Sequence, residues 1–117
     1  MKNLIFLHGA LGAASQFDRF KELMPVGFSF HSFDFEGHGK SESLNEITIE
    51  NLANQLANYC KNLNEYSIFG YSMGGYIALY ATSTGLIHPK NIVTLGTKFD
   101  WTPQFAEKEV TMLDPGL

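Results

Sequence analysis

The sequence is poor in cysteine and in long apolar runs. Cys60 is its one cysteine among 117 residues, so an internal disulfide is excluded and a reducing, cytoplasmic location is expected. The apolar run at residues 4–7 is far shorter than the roughly 20 residues of a membrane-spanning helix, and it is too short for a signal sequence. A membrane partner is therefore not expected.

Charge and histidine spacing argue against two further classes of function. Eight Lys and Arg residues stand against twelve Asp and Glu residues, which gives a net charge of −4. The basic residues are scattered, so the chain is not expected to bind nucleic acid. The four histidines lack the spacing of metal ligands, and no metal or other cofactor is predicted.

Apolar patterning predicts four strands. The continuous apolar run at residues 4–7 is typical of a strand that is buried on both faces. Residues 28–33 alternate between apolar and polar side chains, which indicates a second strand. Two further strands are expected at residues 66–69 and 91–96.

Helical patterns separate these strands. Ser15 is predicted to cap the first helix, with Asp18 completing a near capping box. Thr48 is predicted to cap the second helix, and residues 76–84 form the third. The alternation predicts one α/β domain in three layers, with a mostly parallel sheet of about four strands and helices on both faces. A short fifth segment, residues 104–113, is also expected to be helical.

The segment Gly70-Tyr71-Ser72-Met73-Gly74-Gly75 is the most informative part of the chain. It follows the third predicted strand and precedes the third predicted helix. A serine at such a corner is held in a tight, strained turn that exposes its Oγ at the end of the sheet. The pattern therefore indicates that Ser72 is an accessible nucleophile.

Two more motifs follow the first and second strands. They are Leu7-His8-Gly9-Ala10-Leu11-Gly12 and Asp34-Phe35-Glu36-Gly37-His38-Gly39-Lys40-Ser41. Together with the serine segment, they resemble the α/β-hydrolase superfamily over residues 3–100, in particular esterase-like members with a single glycine in the first motif.

The resemblance implies roles for particular residues. Ser72 would be the nucleophile, and the backbone N–H groups of Met73 and Ala10 would form the oxyanion hole. Residues 1–100 would be the N-terminal part of a hydrolase core, and residues 101–117 the start of a lid or tail. A truncated α/β-hydrolase fold is thus expected, either as a piece of a longer protein or as a natural short form.

Other polar residues in these motifs have structural interpretations. His8 is expected to support the oxyanion loop. His38 is expected to bond nearby backbone within a turn. Asp34 is expected to cap that same turn through its carboxylate.

The catalytic acid and histidine are not found where the fold requires them. In this family the triad follows the chain order serine, acid, histidine. The last histidine, His88, precedes the fourth strand and is expected at the wrong end of the sheet. Asp100 and Asp114 are conceivable acids, and catalysis by His8 or His38 in another chain order stays an alternative.

Three functions therefore stay open. The first is a serine hydrolase of carboxylic esters, thioesters or amides, with a small-molecule acyl substrate. The second is an elimination or lyase-type member of the same family. The third is a non-catalytic half-domain that self-associates, as a homodimer, through the free edge of the strand at residues 91–96 or through the tail.

Overall fold

The computed structural model describes residues 2–38 and 47–97. Its strands and helices alternate as the sequence predicts. In chain order they are β1 (Lys2–Leu7), a 3₁₀ turn (Ala14–Phe17), α1 (Asp18–Glu22), β2 (Phe28–Ser32), α2 (Ile49–Cys60), β3 (Tyr66–Tyr71), α3 (Met73–Ser83) and β4 (Ile92–Leu95).

The four strands form one parallel sheet in the order β2-β1-β3-β4. Ile5 of β1 pairs with Ile68 of β3, which in turn pairs with Ile92 of β4. Because the strands are parallel, the segments that follow them all lie along one carboxyl edge. The three sequence motifs follow β1, β2 and β3, so the topology gathers them at that edge.

Helices α2 and α3 cover one face of the sheet. Thr48 caps α2 as predicted, since its Oγ1 accepts the Asn51 N–H at 3.1 Å. Apolar residues of both helices are buried against the inward residues of β1 and β3, and together they form the main core. Its largest fully buried members include Ile5, Leu7, Leu52, Leu56, Ile68 and Ile77.

The 3₁₀ turn and α1 cover the opposite face beside β1. Successive strand residues point to opposite faces, so Phe6 faces away from the core that holds Ile5 and Leu7. Its ring lies 5.5 Å from that of Phe17 and 5.6 Å from that of Phe20. These contacts confirm the predicted three-layer arrangement with helices on both faces.

The predicted cap of the first helix is wrong. Ser15 lies inside the 3₁₀ turn, whose N-cap residue is Ala13, and no side chain caps the turn from that position. Instead, the Ala14 N–H donates to Oδ1 of Asp34 at 2.7 Å. The carboxylate of Asp34 therefore reaches a segment that precedes it by 20 residues.

Some predictions fall on residues that the structure does not describe. These are the candidate acids Asp100 and Asp114, the helix at residues 104–113, and the lid or tail assigned to residues 101–117. Within residues 2–38 and 47–97, no helix has the length and apolar character needed to cross a bilayer.

Candidate active site

Ser72 stands between β3 and α3 in a backbone conformation that is rare outside glycine. Its φ is 51° and its ψ is −116°, which costs about 1–3 kcal/mol for a residue with a Cβ. Ser72 is also the N-cap residue of α3, yet its side chain makes no capping hydrogen bond. A capping serine has an extended backbone, as Thr48 has here. The turn at Ser72 thus leaves its hydroxyl unused by its own helix.

The glycines around Ser72 are required by close backbone contacts. A Cβ at Gly70 would overlap the Gly75 backbone. A Cβ at Gly74 would lie 2.5 Å from the Leu7 carbonyl oxygen and 2.7 Å from that of His8. The start of α3 therefore packs directly on the end of β1, which explains the Gly-x-Ser-x-Gly spacing physically.

The loop after β1 lies against Ser72. A Cβ built on Gly9 would be 3.1 Å from the Cβ of Ser72. The loop turns tightly, with the Gly12 N–H donating to the Gly9 carbonyl at 3.0 Å, and Leu11 has a positive φ of 63°. Ala10 lies in this turn, close in sequence to the contact with Ser72.

The backbone amides of Ala10 and Met73 are the predicted oxyanion donors. Among the hydrogen bonds of the described residues, none is donated by the backbone N–H of either residue. Met73 is the first residue of α3, where helix N–H groups have no partner within the helix and carry the positive end of its dipole. The Met73 amide therefore lies where a helix N-terminus favours negative charge.

His8 supports the loop after β1. The Phe35 N–H donates to Nε2 of His8 at 3.0 Å, so Nε2 is unprotonated and Nδ1 carries the hydrogen. Nδ1 then donates to the Gly9 carbonyl at 2.7 Å. Burial lowers the pKa of His8 below its ordinary value. With both ring nitrogens engaged in a buried site, His8 has the structural role that the sequence predicts.

His38 and His31 each have hydrogen-bond partners of their own. His38 is buried, with Nδ1 3.0 Å from the Glu36 carbonyl, the backbone bond expected from its turn. His31 has its Nδ1 2.9 Å from the Tyr59 hydroxyl and its Nε2 2.9 Å from the Asn3 amide oxygen.

His88 is far from Ser72, as the sequence indicates. Its N–H donates to the hydroxyl of Tyr66 at 2.9 Å, and Tyr66 is the first residue of β3. Ser72 follows the last residue of that strand. Six steps of about 3.3 Å place the two ends roughly 20 Å apart, so His88 cannot act as a base for Ser72.

Sequence reasoning missed two residues that contact the Ser72 backbone, Leu95 and Thr97. A hydroxyl residue just beyond β4 gives no distinctive signal without the strand order. Among the described residues, no group of three or more His, Cys, Asp or Glu side chains is arranged to hold a metal ion.

Comparison with known proteins shows the family. The family described as alpha/beta hydrolase fold matches residues 2–113 of the chain. The solved structure of MenH from S. aureus superimposes with a TM-score of 0.78 at 26% identity, covering 92% of this chain and 42% of that one. The chain therefore belongs to the α/β-hydrolase fold family.

Curated relatives carry several activities in their names. A Haemophilus influenzae protein assigned as a 2-succinyl-6-hydroxy-2,4-cyclohexadiene-1-carboxylate synthase is 35% identical over 96 residues, which is 79% of this chain and 38% of the relative. A pimeloyl-[acyl-carrier protein] methyl ester esterase of Salmonella heidelberg is 31% identical over 108 residues, 92% of this chain and 40% of the relative. The chain thus spans about two fifths of the length of these relatives.

Proposed function

We propose that this chain carries the nucleophile and the oxyanion-binding part of a serine hydrolase that acts on a carboxylic ester, thioester or amide through Ser72. The observation that carries the proposal is the strained backbone of Ser72. In this conformation the Ser72 hydroxyl makes no capping hydrogen bond to α3, and the residue lies beside the loop after β1. Strain of this kind persists only where the surrounding structure enforces it, and it is concentrated at functional sites.

The proposed chemistry is acyl transfer. Ser72 Oγ forms a bond to the carbonyl carbon of the substrate as its proton passes to a general base, and the carbonyl electron pair moves onto oxygen. The N–H groups of Ala10 and Met73 stabilise that oxyanion, each contributing about 3–4 kcal/mol to lowering the barrier. The tetrahedral intermediate then expels an alcohol, thiol or amine, which takes up the proton, and water later releases the acid.

The general base is proposed to lie outside this chain. His8 has both ring nitrogens engaged, and His88 lies at the amino end of β3. His31 bonds Asn3 of β1 and Tyr59 of α2, and His38 is buried against the ring of His8. We therefore expect little or no turnover from the 117-residue chain alone.

The names of the relatives leave the reaction subtype open. One is named as an ester hydrolase of an acyl-carrier-protein conjugate, and another is assigned as a synthase. Hydrolysis and an elimination would both develop negative charge on oxygen, which an oxyanion site stabilises, so the proposed roles of Ser72, Ala10 and Met73 apply to either reaction.

A fluorophosphonate probe with added imidazole tests the proposal. Imidazole can supply the missing base, so labelling of Ser72 should rise with imidazole concentration and should map to the peptide that contains Ser72. Ser72→Ala should abolish it, whereas Ser83→Ala, at an exposed serine of the same helix, should leave it unchanged. Labelling that survives Ser72→Ala would reject the proposal.

A non-catalytic, self-associating half-domain is the second candidate. The observation that favours it is the exposure of two apolar residues on β4, Val93 at 58% and Leu95 at 57%. Among the described residues β4 is the outermost strand of the sheet, and apolar exposure on such a strand favours pairing with another chain. Under this alternative the Ser72 hydroxyl would not be activated, so the labelling experiment separates the two candidates.

A further inference from the structure

Residues at and just after the end of β4 form hydrogen bonds with both backbone groups of Ser72. The Ser72 N–H donates to the Leu95 carbonyl at 2.8 Å. The Thr97 hydroxyl donates to the Ser72 carbonyl at 2.9 Å. The strained residue is therefore fixed by a neighbouring strand and by the residues just after it.

Gly75 makes room for the Thr97 hydroxyl. A Cβ at Gly75 would overlap Oγ1 of Thr97 and would lie 3.0 Å from Cγ2 of Thr94. The Ser72 carbonyl also accepts the N–H of Gly75 at 3.1 Å and that of Tyr76 at 3.3 Å. Those two bonds belong to the first turn of α3, whereas the bond from Thr97 comes from outside the helix.

The Ser72 carbonyl and the Met73 N–H belong to one planar peptide unit. In a trans peptide the two groups point in opposite directions, so a donor at the carbonyl fixes the direction of the N–H. A hydrogen bond to the carbonyl also polarises the unit and strengthens its N–H as a donor.

We propose that Thr97 is a positioning residue that aims and strengthens the Met73 amide as an oxyanion donor. The inference rests on the proposed function, since it needs Ser72 to be the nucleophile. It also gives Gly75 a role: this glycine keeps the space that the Thr97 hydroxyl occupies.

Three variants of the chain test the role of Thr97. Thr97→Val removes the hydroxyl at nearly constant volume, Thr97→Ser keeps it, and Thr94→Val makes the same chemical change on β4 as a control. Two properties are measured, the imidazole-dependent rate of fluorophosphonate labelling at Ser72 and the ¹⁵N–¹H signal of the Met73 amide.

Thr97→Val should slow labelling about tenfold, less than the 10²–10³-fold loss of a whole oxyanion donor, because the amide is misaligned but still present. It should also move the Met73 signal. Thr97→Ser should restore both, and Thr94→Val should change neither.

Normal labelling and an unmoved Met73 signal in Thr97→Val would overturn the inference. So would a loss that Thr97→Ser does not rescue or that Thr94→Val reproduces. If the unmodified chain is not labelled at Ser72, the proposed function fails, and the Met73 signal alone then decides whether Thr97 controls this peptide.

Discussion

Replacing Gly74 by alanine should destabilise the fold, against the usual trend for a helix. Alanine is favoured over glycine in a helix interior by about 0.5–1 kcal/mol. Here, however, the new Cβ would lie 2.5–2.8 Å from backbone atoms of Leu7 and His8, which cannot rotate away. Overpacking of this kind costs about 1–3 kcal/mol. Because three backbone atoms are affected, the cost lies at the upper end of that range. After the helix preference of alanine is subtracted, we expect the free energy of unfolding to fall by about 2 kcal/mol.

Urea denaturation followed by circular dichroism measures this loss, which corresponds to a drop in Tm of roughly 8 °C for a domain of this size. Gly85→Ala is the matched control. Gly85 has a φ of +80° and no atom within 4 Å of an added Cβ, so alanine there costs only backbone strain, about 1 kcal/mol. A Gly74→Ala variant as stable as the parent would refute the close packing of α3 on β1.

Three further results are expected. Ser72→Gly should be about 1 kcal/mol more stable than Ser72→Ala in urea denaturation, because glycine adopts the positive φ without strain; equal stabilities would mean that Ser72 is unstrained. Burial lowers the pKa of His8 and His31 below the ordinary 6.5, so the unfolded chain binds more protons than the folded one. The free energy of unfolding should therefore fall as the pH drops through 6.5. A rise would contradict the burial of these two histidines. The association proposed through β4 predicts a dimer, so light scattering at micromolar concentration should give a mass of about twice the 13.1 kDa of the chain. The mass of a monomer would reject that association.

The parallel α/β architecture and the location of the serine could be predicted from local patterns. Continuous apolar residues in β1 and the alternation of strands with helices admit few topologies once the connections are parallel. The glycines at 70 and 74 then mark a corner where backbone segments approach too closely for a side chain.

The contacts that hold the site together could not be predicted, because they join residues that are distant in sequence. Asp34 replaces Ser15 as the partner of the first turn only because β2 ends beside it. Thr97 reaches Ser72 only because β4 pairs with β3. Such contacts depend on which strands are neighbours, and no local pattern around Thr97 or Asp34 encodes them.

The most direct test of the proposed site is a crystal structure of the chain after reaction with a fluorophosphonate in imidazole. We expect phosphorus bonded to Ser72 Oγ, and a phosphoryl oxygen about 3 Å from the backbone nitrogens of both Ala10 and Met73. Phosphorus on another residue would contradict the assignment of the nucleophile. A phosphoryl oxygen directed away from these two amides would contradict the assignment of the oxyanion hole.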